Sequence, residues 1–492
     1  MRKTCSMWLF PFFLLLFTSS LSAHVGSPDV FYEGAAGPYR LMVTIRPPLV
    51  IPGVAEIEVV SASSELRELQ ITPLHLSGPG AQFAPTPDRL QRSTDTSTSF
   101  TGSLWLMEQG AWQIRIQAEG PQGQGQLSVP VPAVAQQGLR MQKFLAVGLF
   151  ILMLFLSVGA VSIVGASLRD GQLEPGATPG PLQIRRARLM MGATAVLVFA
   201  TLFLARGWWN SIAQNYQRKL YKLPQLSATL EPQGRLTLRL PDPGLWKGLQ
   251  ITGNPLIPDH NHLMHLFLVR LPELERFWHL HPEQMESAVF SQDLPAIPAG
   301  RYQIFADVVH RSGFPETMVT EIDLPQVPGK PLSGDDSEGA GTLLSRADRT
   351  RNSSELFGGG RMLWERDSLS LKSRRASWFR FRVEDQAGRP VDDLEPYMGM
   401  AGHAVFLKTD RSVFAHVHPS GTPPMAMLAL TERGPTSQPS DPHAGHGKNG
   451  PALSPVVSFP YGFSQPGEYR IFVQIKRVGR VQTGVFDVQV EP

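Results

Sequence analysis

Cysteine is almost missing from this chain: Cys5 is the only one among 492 residues, and it lies in a segment expected to be removed on export. A mature chain without thiols forms no disulfide, no four-cysteine zinc site and no cysteine nucleophile. Any metal site must then draw on histidine, methionine, carboxylates or backbone groups. Charge of one sign is also missing. The formal net charge is +3, and no basic stripe is interleaved with aromatics, so nothing supports nucleic acid as a partner. The signatures of catalysis are absent too: there is no Gly-x-Ser-x-Gly, no phosphate-binding glycine loop and no His-Glu-x-x-His. The sequence therefore points to a protein that is not an enzyme.

What is present begins with 43 prolines and 45 glycines scattered among short β-branched and aromatic runs, a pattern of many short strands joined by turns. At the N-terminus, Arg2 and Lys3 precede the apolar run Trp8 to Phe17 and then Ser19, Ser20, Ser22 and Ala23. This is the layout of a secretory signal over 1–23, which leaves either Ala23 or His24 as the first mature residue. Two longer apolar segments, 144–166 and 189–205, are expected to cross a membrane. The short loop between them (167–188) carries Arg169, Arg185, Arg186 and Arg188, as a cytosolic loop would, and Trp208 and Trp209 suit an interfacial belt. Export of the N-terminus followed by two crossings puts both flanking portions in the same outer compartment, the periplasm of a bacterial inner membrane.

Three β domains are expected, over 24–135, 225–328 and 365–492, the last two separated by a linker (329–364) that is rich in Gly, Ser and Asp near Ser333 to Gly341. The fold class is thus mainly β: three β-sandwich domains plus a two-helix transmembrane hairpin. The second and third domains read as copies of one unit. One runs His265-Leu-Phe-Leu-Val, Phe277-Trp-His279-Leu-His281-Pro282 and Pro298-Ala-Gly300-Arg-Tyr302. The other runs His403-Ala-Val-Phe-Leu, Phe414-Ala-His416-Val-His418-Pro419 and Pro466-Gly467-Glu-Tyr469. The first domain keeps only the later part, Gln109-Gly110-Ala-Trp112.

Residues two apart in a strand project from one face, so His279 with His281, and His416 with His418, each present two imidazoles side by side. If the strands pair as hairpins, His265 and His403 supply a third imidazole to each set. Imidazole suits copper, zinc, nickel and iron, and thioethers favour Cu(I). Met398 and Met400 before His403, Met425 and Met427 after His418, and His260, His262 and Met264 before His265 tilt the choice toward copper. The alternative is that Phe-x-His-x-His-Pro is a folding signature whose imidazoles bond loop carbonyls. His443 and His446 sit in an insertion without strand pattern, and His310 has no counterpart in the third domain, which marks it as structural. If His24 is the first mature residue, its amine and ring can chelate one metal together, with His75 as a third donor.

Met398-Gly-Met-Ala-Gly-His403, Phe414-x-His416-x-His418-Pro419 and Pro466-Gly-x-Tyr469 resemble the YtkA-like and FixH-like group of membrane-tethered immunoglobulin-like domains. The mature start at His24 more loosely resembles the CopC-like copper carriers. The resemblance implies an immunoglobulin-like sandwich and a role in copper handling or in maturing a metal-containing oxidase. Two function readings follow. One is a membrane-anchored copper-binding protein for storage, delivery or resistance, passing copper to a membrane protein or oxidase. The other is an assembly module that docks a partner membrane complex without metal.

Overall fold

The computed structural model describes residues 29–77, 83–94, 96–138, 141–174, 176–241, 256–341, 351–366, 370–432 and 453–492. The expected signal segment, His24, His443 and His446 lie outside the described residues.

Alternating burial along the strands builds three immunoglobulin-like sandwiches, each with its own core. In the first, a five-stranded sheet (Val30–Ala36, Tyr39–Arg46, Gly53–Ser61, Ser99–Leu106, Gln91–Arg92) faces a four-stranded one (Asp88–Arg89, Glu68–His75, Gly110–Gly120, Gly123–Ala133). Residues such as Ile57, Ile71, Phe100 and Ile114 fill the space between them. The second sandwich pairs a four-stranded sheet with a six-stranded one, whose order includes Gly300–His310, His265–Leu271, Arg276–Leu280 and Ser337–Ala340. In the third the corresponding order is Arg480–Glu491, Gly467–Arg477, His403–Lys408, Phe414–Val417. The run Gly300–His310, His265–Leu271, Arg276–Leu280 of the second sandwich thus has its counterpart in Gly467–Arg477, His403–Lys408, Phe414–Val417 of the third. The corner is preserved as well. Tyr302 donates to the Pro298 carbonyl at 2.7 Å and Tyr469 to that of Gln465 at 2.9 Å, while Trp112 Nε1 donates to Glu108 at 3.0 Å in the first domain. In each case an aromatic donor reaches back four residues.

Both copies bury each hairpin on two faces, which is why these strands read as continuous apolar runs rather than alternating ones. Leu266, Leu268 and Leu280 enter the second domain's own core, and Phe406, Ala415 and Val417 enter that of the third. The opposite faces pack against each other: Phe267, Phe277 and Phe305 meet Val405, Phe414 and Phe472. Phe277 stacks on Phe472 with centroids 4.3 Å apart, and Phe305 on Phe414 at 4.2 Å. By the repeat, Phe277 corresponds to Phe414 and Phe305 to Phe472, so these contacts are one contact made twice. This is the self-complementary pattern of a two-fold interface, here within one chain.

The linker expected near Ser333 to Gly341 is instead part of the fold. Ser337–Ala340 adds antiparallel to Arg276–Leu280, with Phe277 opposite Gly339 and His279 opposite Ser337. Composition suggested a tether, but an open sheet edge needs its backbone groups paired, and small residues fit there. The third domain likewise begins earlier than 365, because Ser353–Glu355 and Arg361–Glu365 are strands of its four-stranded sheet.

Helix α1 (Lys143–Asp170) and helix α2 (Pro181–Arg218) are long and apolar enough to cross a bilayer, and their apolar side chains are exposed. Both outrun the expected segments, so the connecting loop shortens to about 171–180 and Arg185, Arg186 and Arg188 lie in α2. Hydropathy marks the apolar stretch, whereas backbone hydrogen bonds carry the helix past it. The far end of α2 is fastened to the first domain. Tyr216 accepts from Ile51 N at 3.2 Å, and Tyr221 N donates to the Ala135 carbonyl at 2.8 Å.

The first domain is also stitched to the third. Glu33 N donates to the Ser420 carbonyl at 2.8 Å and Thr422 N to that of Phe31 at 2.9 Å, while the Phe31 ring enters the third domain's core. Gly421, at φ +131°, makes this approach feasible: a Cβ there would lie 1.9 Å from the Phe31 carbonyl oxygen. Gly421→Ala is therefore expected to cost about 1–3 kcal/mol and to open the junction, seen as faster proteolysis between the first and third domains.

Candidate metal centre

The hairpin register assembles the histidines. Leu266 is opposite Leu280 and Phe267 opposite His279, which brings His265 across from His281 with His279 on the same face. The rings of His265, His279 and His281 lie 4.6–5.3 Å apart, and one nitrogen from each falls within 4.8 Å of the others. This is the set expected from the sequence. In the third domain Ala404 pairs with Val417, so His403 faces His418 in the same way.

The expected second set of His403, His416 and His418 is corrected by the fold. The third member of that group is His260, contributed by the second domain, with rings 4.9 Å from His403, 4.9 Å from His418 and 5.0 Å between those two. His260 reaches across because its turn adopts a left-handed backbone, φ 50°, closed by reciprocal bonds between Asp259 and His262. The Met398 carbonyl of the third domain meets its Nδ1 at 2.7 Å. His416 stands between the groups, 5.4 Å from His265, 5.6 Å from His279, 5.4 Å from His403 and 4.7 Å from His418. His262 stacks on His281 at 3.9 Å. Eight imidazoles thus converge on the junction between the two copies.

Each central histidine is oriented by the opposite copy. His279 Nδ1 lies 2.9 Å from Gln474 Oε1, and His416 Nδ1 lies 3.4 Å from Asp307 Oδ2. Gln474 is opposite His403 and Asp307 opposite His265 in the ladders, so the two contacts are equivalent. Gln474 is held in turn by a hydrogen bond to Ser337, on the added edge strand. Asp336, just before that strand, accepts from His281 Nδ1 at 3.0 Å. Carboxylate or carbonyl partners on one ring nitrogen set the tautomer and turn the other nitrogen toward a ligand. The Nε2 atoms of His281, His416 and His418 are indeed buried and have no hydrogen-bond partner among the described residues.

Sequence reading missed Asp307, Gln474 and Asp336. The first two have a signal: each is the fifth residue after the corner tyrosine, Tyr302 or Tyr469, and each is polar and buried or nearly so in an apolar strand. Other expected donors fall elsewhere. His75 packs against Trp112, rings 3.9 Å apart, in the first domain and belongs to neither group; its proposed companion His24 is outside the described residues. Met400 is fixed through its backbone, closing the turn before His403 with Tyr397. Met264 and Met427 are packed in apolar clusters. His310 pairs with buried Glu316 at 3.0 Å, which fits the structural role expected of it.

Burial, reinforced by neighbouring imidazoles, holds His265, His279, His403 and His418 well below the ordinary imidazole range, and lowers His281. The folded metal-free protein therefore binds fewer protons than the unfolded chain at mildly acidic pH. Its stability is full above about pH 6.5 and falls as pH drops toward the depressed values, each such histidine contributing up to about 1.4 kcal/mol per pH unit. Denaturation midpoints of metal-free protein from pH 7.5 to 5.5 are expected to decline below about 6.5; a flat profile contradicts this. On the acidic side of the site, the neighbouring His262, 3.6 Å away, is the main cause that lowers Asp335 to about 2.

A cavity of about 460 Å³ opens on the centre where the first domain, the segment after α2 and both copies meet, lined among others by Pro132, Tyr221, Lys222, His265, His416 and His418.

Residues 359–492 match the family described as Domain of unknown function (DUF8832). No curated protein matches the chain. Among solved structures, the chain is similar to a tetra-tandem repeat from the extending region of a large adhesion protein, at 7% identity and TM-score 0.16 over 94% of this chain and 82% of that one. It is similar to the ICAM-5 D1–D4 ectodomain at 10% and 0.16, over 92% and 77%. A putative membrane anchored protein from Corynebacterium diphtheriae gives 9% and 0.14, over 94% and 96%. At these scores nothing about fold or function is carried over from them.

Proposed function

We propose that this chain is a membrane-anchored metal-binding protein, with its β domains on the periplasmic face of a bacterial inner membrane, that holds copper at the junction of its second and third domains for storage or delivery. The observation that carries the reading is the two three-histidine groups, each gathering one ring nitrogen per histidine within 4.8 Å, with the Nε2 atoms of His281 and His418 buried and unbonded among the described residues. A buried nitrogen left without a hydrogen bond costs about 1–3 kcal/mol. His260, His265 and His418 each meet a backbone carbonyl through one nitrogen, as a folding role requires, but the Nε2 atoms of His281, His416 and His418 are buried and unbonded among the described residues. A metal ion satisfies those nitrogens. Copper stands highest among divalent first-row metals at nitrogen sites, and a chain whose only cysteine is Cys5 offers no thiolate set to favour zinc. The first domain and the segment after α2 border the junction, where a membrane protein could receive the ion.

The test is the copper content of the full chain in detergent after metal stripping, reloading and desalting, compared with His281→Ala/His418→Ala, which removes one ligand from each group. Copper is expected to stay with the wild type and to fall several-fold in the variant. No copper in the wild type, or equal copper in both, overturns the reading and leaves the metal-free assembly module in its place.

A further inference from the structure

We infer that the two three-histidine groups hold their ions as one coupled pair, close enough to share a small bridging anion such as hydroxide; this rests on the metal-binding reading above. At their closest approach the two groups come within about one ångström of the spacing inside each group. Rings of one group lie 4.6–5.3 Å apart and those of the other 4.9–5.0 Å. Across the divide, His260 lies 6.1 Å from His265 and His279 lies 6.5 Å from His403. Two rings flank the gap: Tyr397, 5.1 Å from His403 and 6.3 Å from His279, and His416. The second of these, His416, is itself a donor with a buried and unbonded Nε2.

Two dications side by side in a buried site repel strongly, so the pair needs negative charge close by. The fold provides it one shell out: Asp336 on His281 at 3.0 Å, Asp307 on His416 at 3.4 Å and Asp335 on His262 at 3.6 Å. A bridging anion adds the charge where repulsion is greatest. Three imidazoles per ion leave a coordination position open for it, as three-ligand metal sites do. The cavity reaches His262, His265, His416 and His418 from the side of the first domain and the segment after α2, and gives a small anion its way in.

The experiment loads the full chain with Cu(II), counts copper by elemental analysis and counts unpaired spins by electron paramagnetic resonance. Two copper ions per chain with well under half of the corresponding spin intensity are expected. His281→Ala is expected to lower copper to about one per chain while raising the spin count toward one, so that less metal gives more signal. His418→Ala, on the other group, should do the same, which guards against one variant failing to fold. Added azide should perturb the wild-type optical spectrum through the bridging position. Two ions with full, independent spin intensity overturn the coupled pair but leave metal binding standing, as does a single ion in the wild type. No bound copper overturns both.

Discussion

Loading with copper at a hundredfold excess over its dissociation constants is expected to raise the unfolding free energy by about 5 kcal/mol when both groups fill, because each site adds about 2.7 kcal/mol by mass action. The ligands come from three separate stretches of chain: His260 and His265, His279 and His281, and His403 and His418. The unfolded chain keeps only the local His-x-His pairs and binds far more weakly, so nearly all of the binding free energy appears as stability of the folded junction. Denaturant titrations with and without a copper chelator give the measurement, and the gain should be reversed by chelation. His418→Ala is expected to lose about half of it. A wild-type midpoint that does not move with copper would contradict the prediction.

The second large effect lies outside the centre. Arg470 is fully buried and grips Asp487 through two bonds of 2.7 and 2.8 Å, while its Nη1 donates to the Leu274 carbonyl of the neighbouring copy at 3.1 Å. Arg470→Met leaves a buried carboxylate and an unbonded carbonyl, and is expected to cost about 3–5 kcal/mol. Arg470→Met/Asp487→Leu should recover most of that, since replacing both partners removes the stranded charge. Chemical denaturation of the two variants tests it; equal losses in both would show that the ion pair is not the cause. Because Leu274 belongs to the apolar contact between the copies, the single variant should also retain less copper, by loosening the junction that brings His260 to His403 and His418.

Reading the histidines from the sequence succeeded where the information was local. His265 meets His279 and His281 because a hairpin register and a two-residue side-chain period suffice to bring them together. The same rule named His403 and His418 but assigned His416 to them in place of His260. Side-chain alternation says only that His416 shares their face; it says nothing of what packs against that face. His260 was noticed at the edge of its domain, yet its partners are 143 and 158 residues away, and only domain packing brings it there. The segment near Ser337 was misread for a related reason. Small polar residues suit a tether and a covered sheet edge alike, and the choice depends on whether an unpaired strand lies within reach.

The sequence by itself determined the strand-rich class, the two long apolar helices and the repeated motif with its three histidines, because short-period patterning, long apolar runs and repeated motifs are properties of neighbours along the chain. The tertiary structure alone decided that the two copies face each other, so that expected paired sites become one junction of eight imidazoles. It also decided that Gln474 and Asp307 each serve the other copy's histidine. The physical reason is that a face buried against a second domain looks, in sequence, the same as a face buried in its own core: both are apolar, and the identity of the covering surface is not written in the strand.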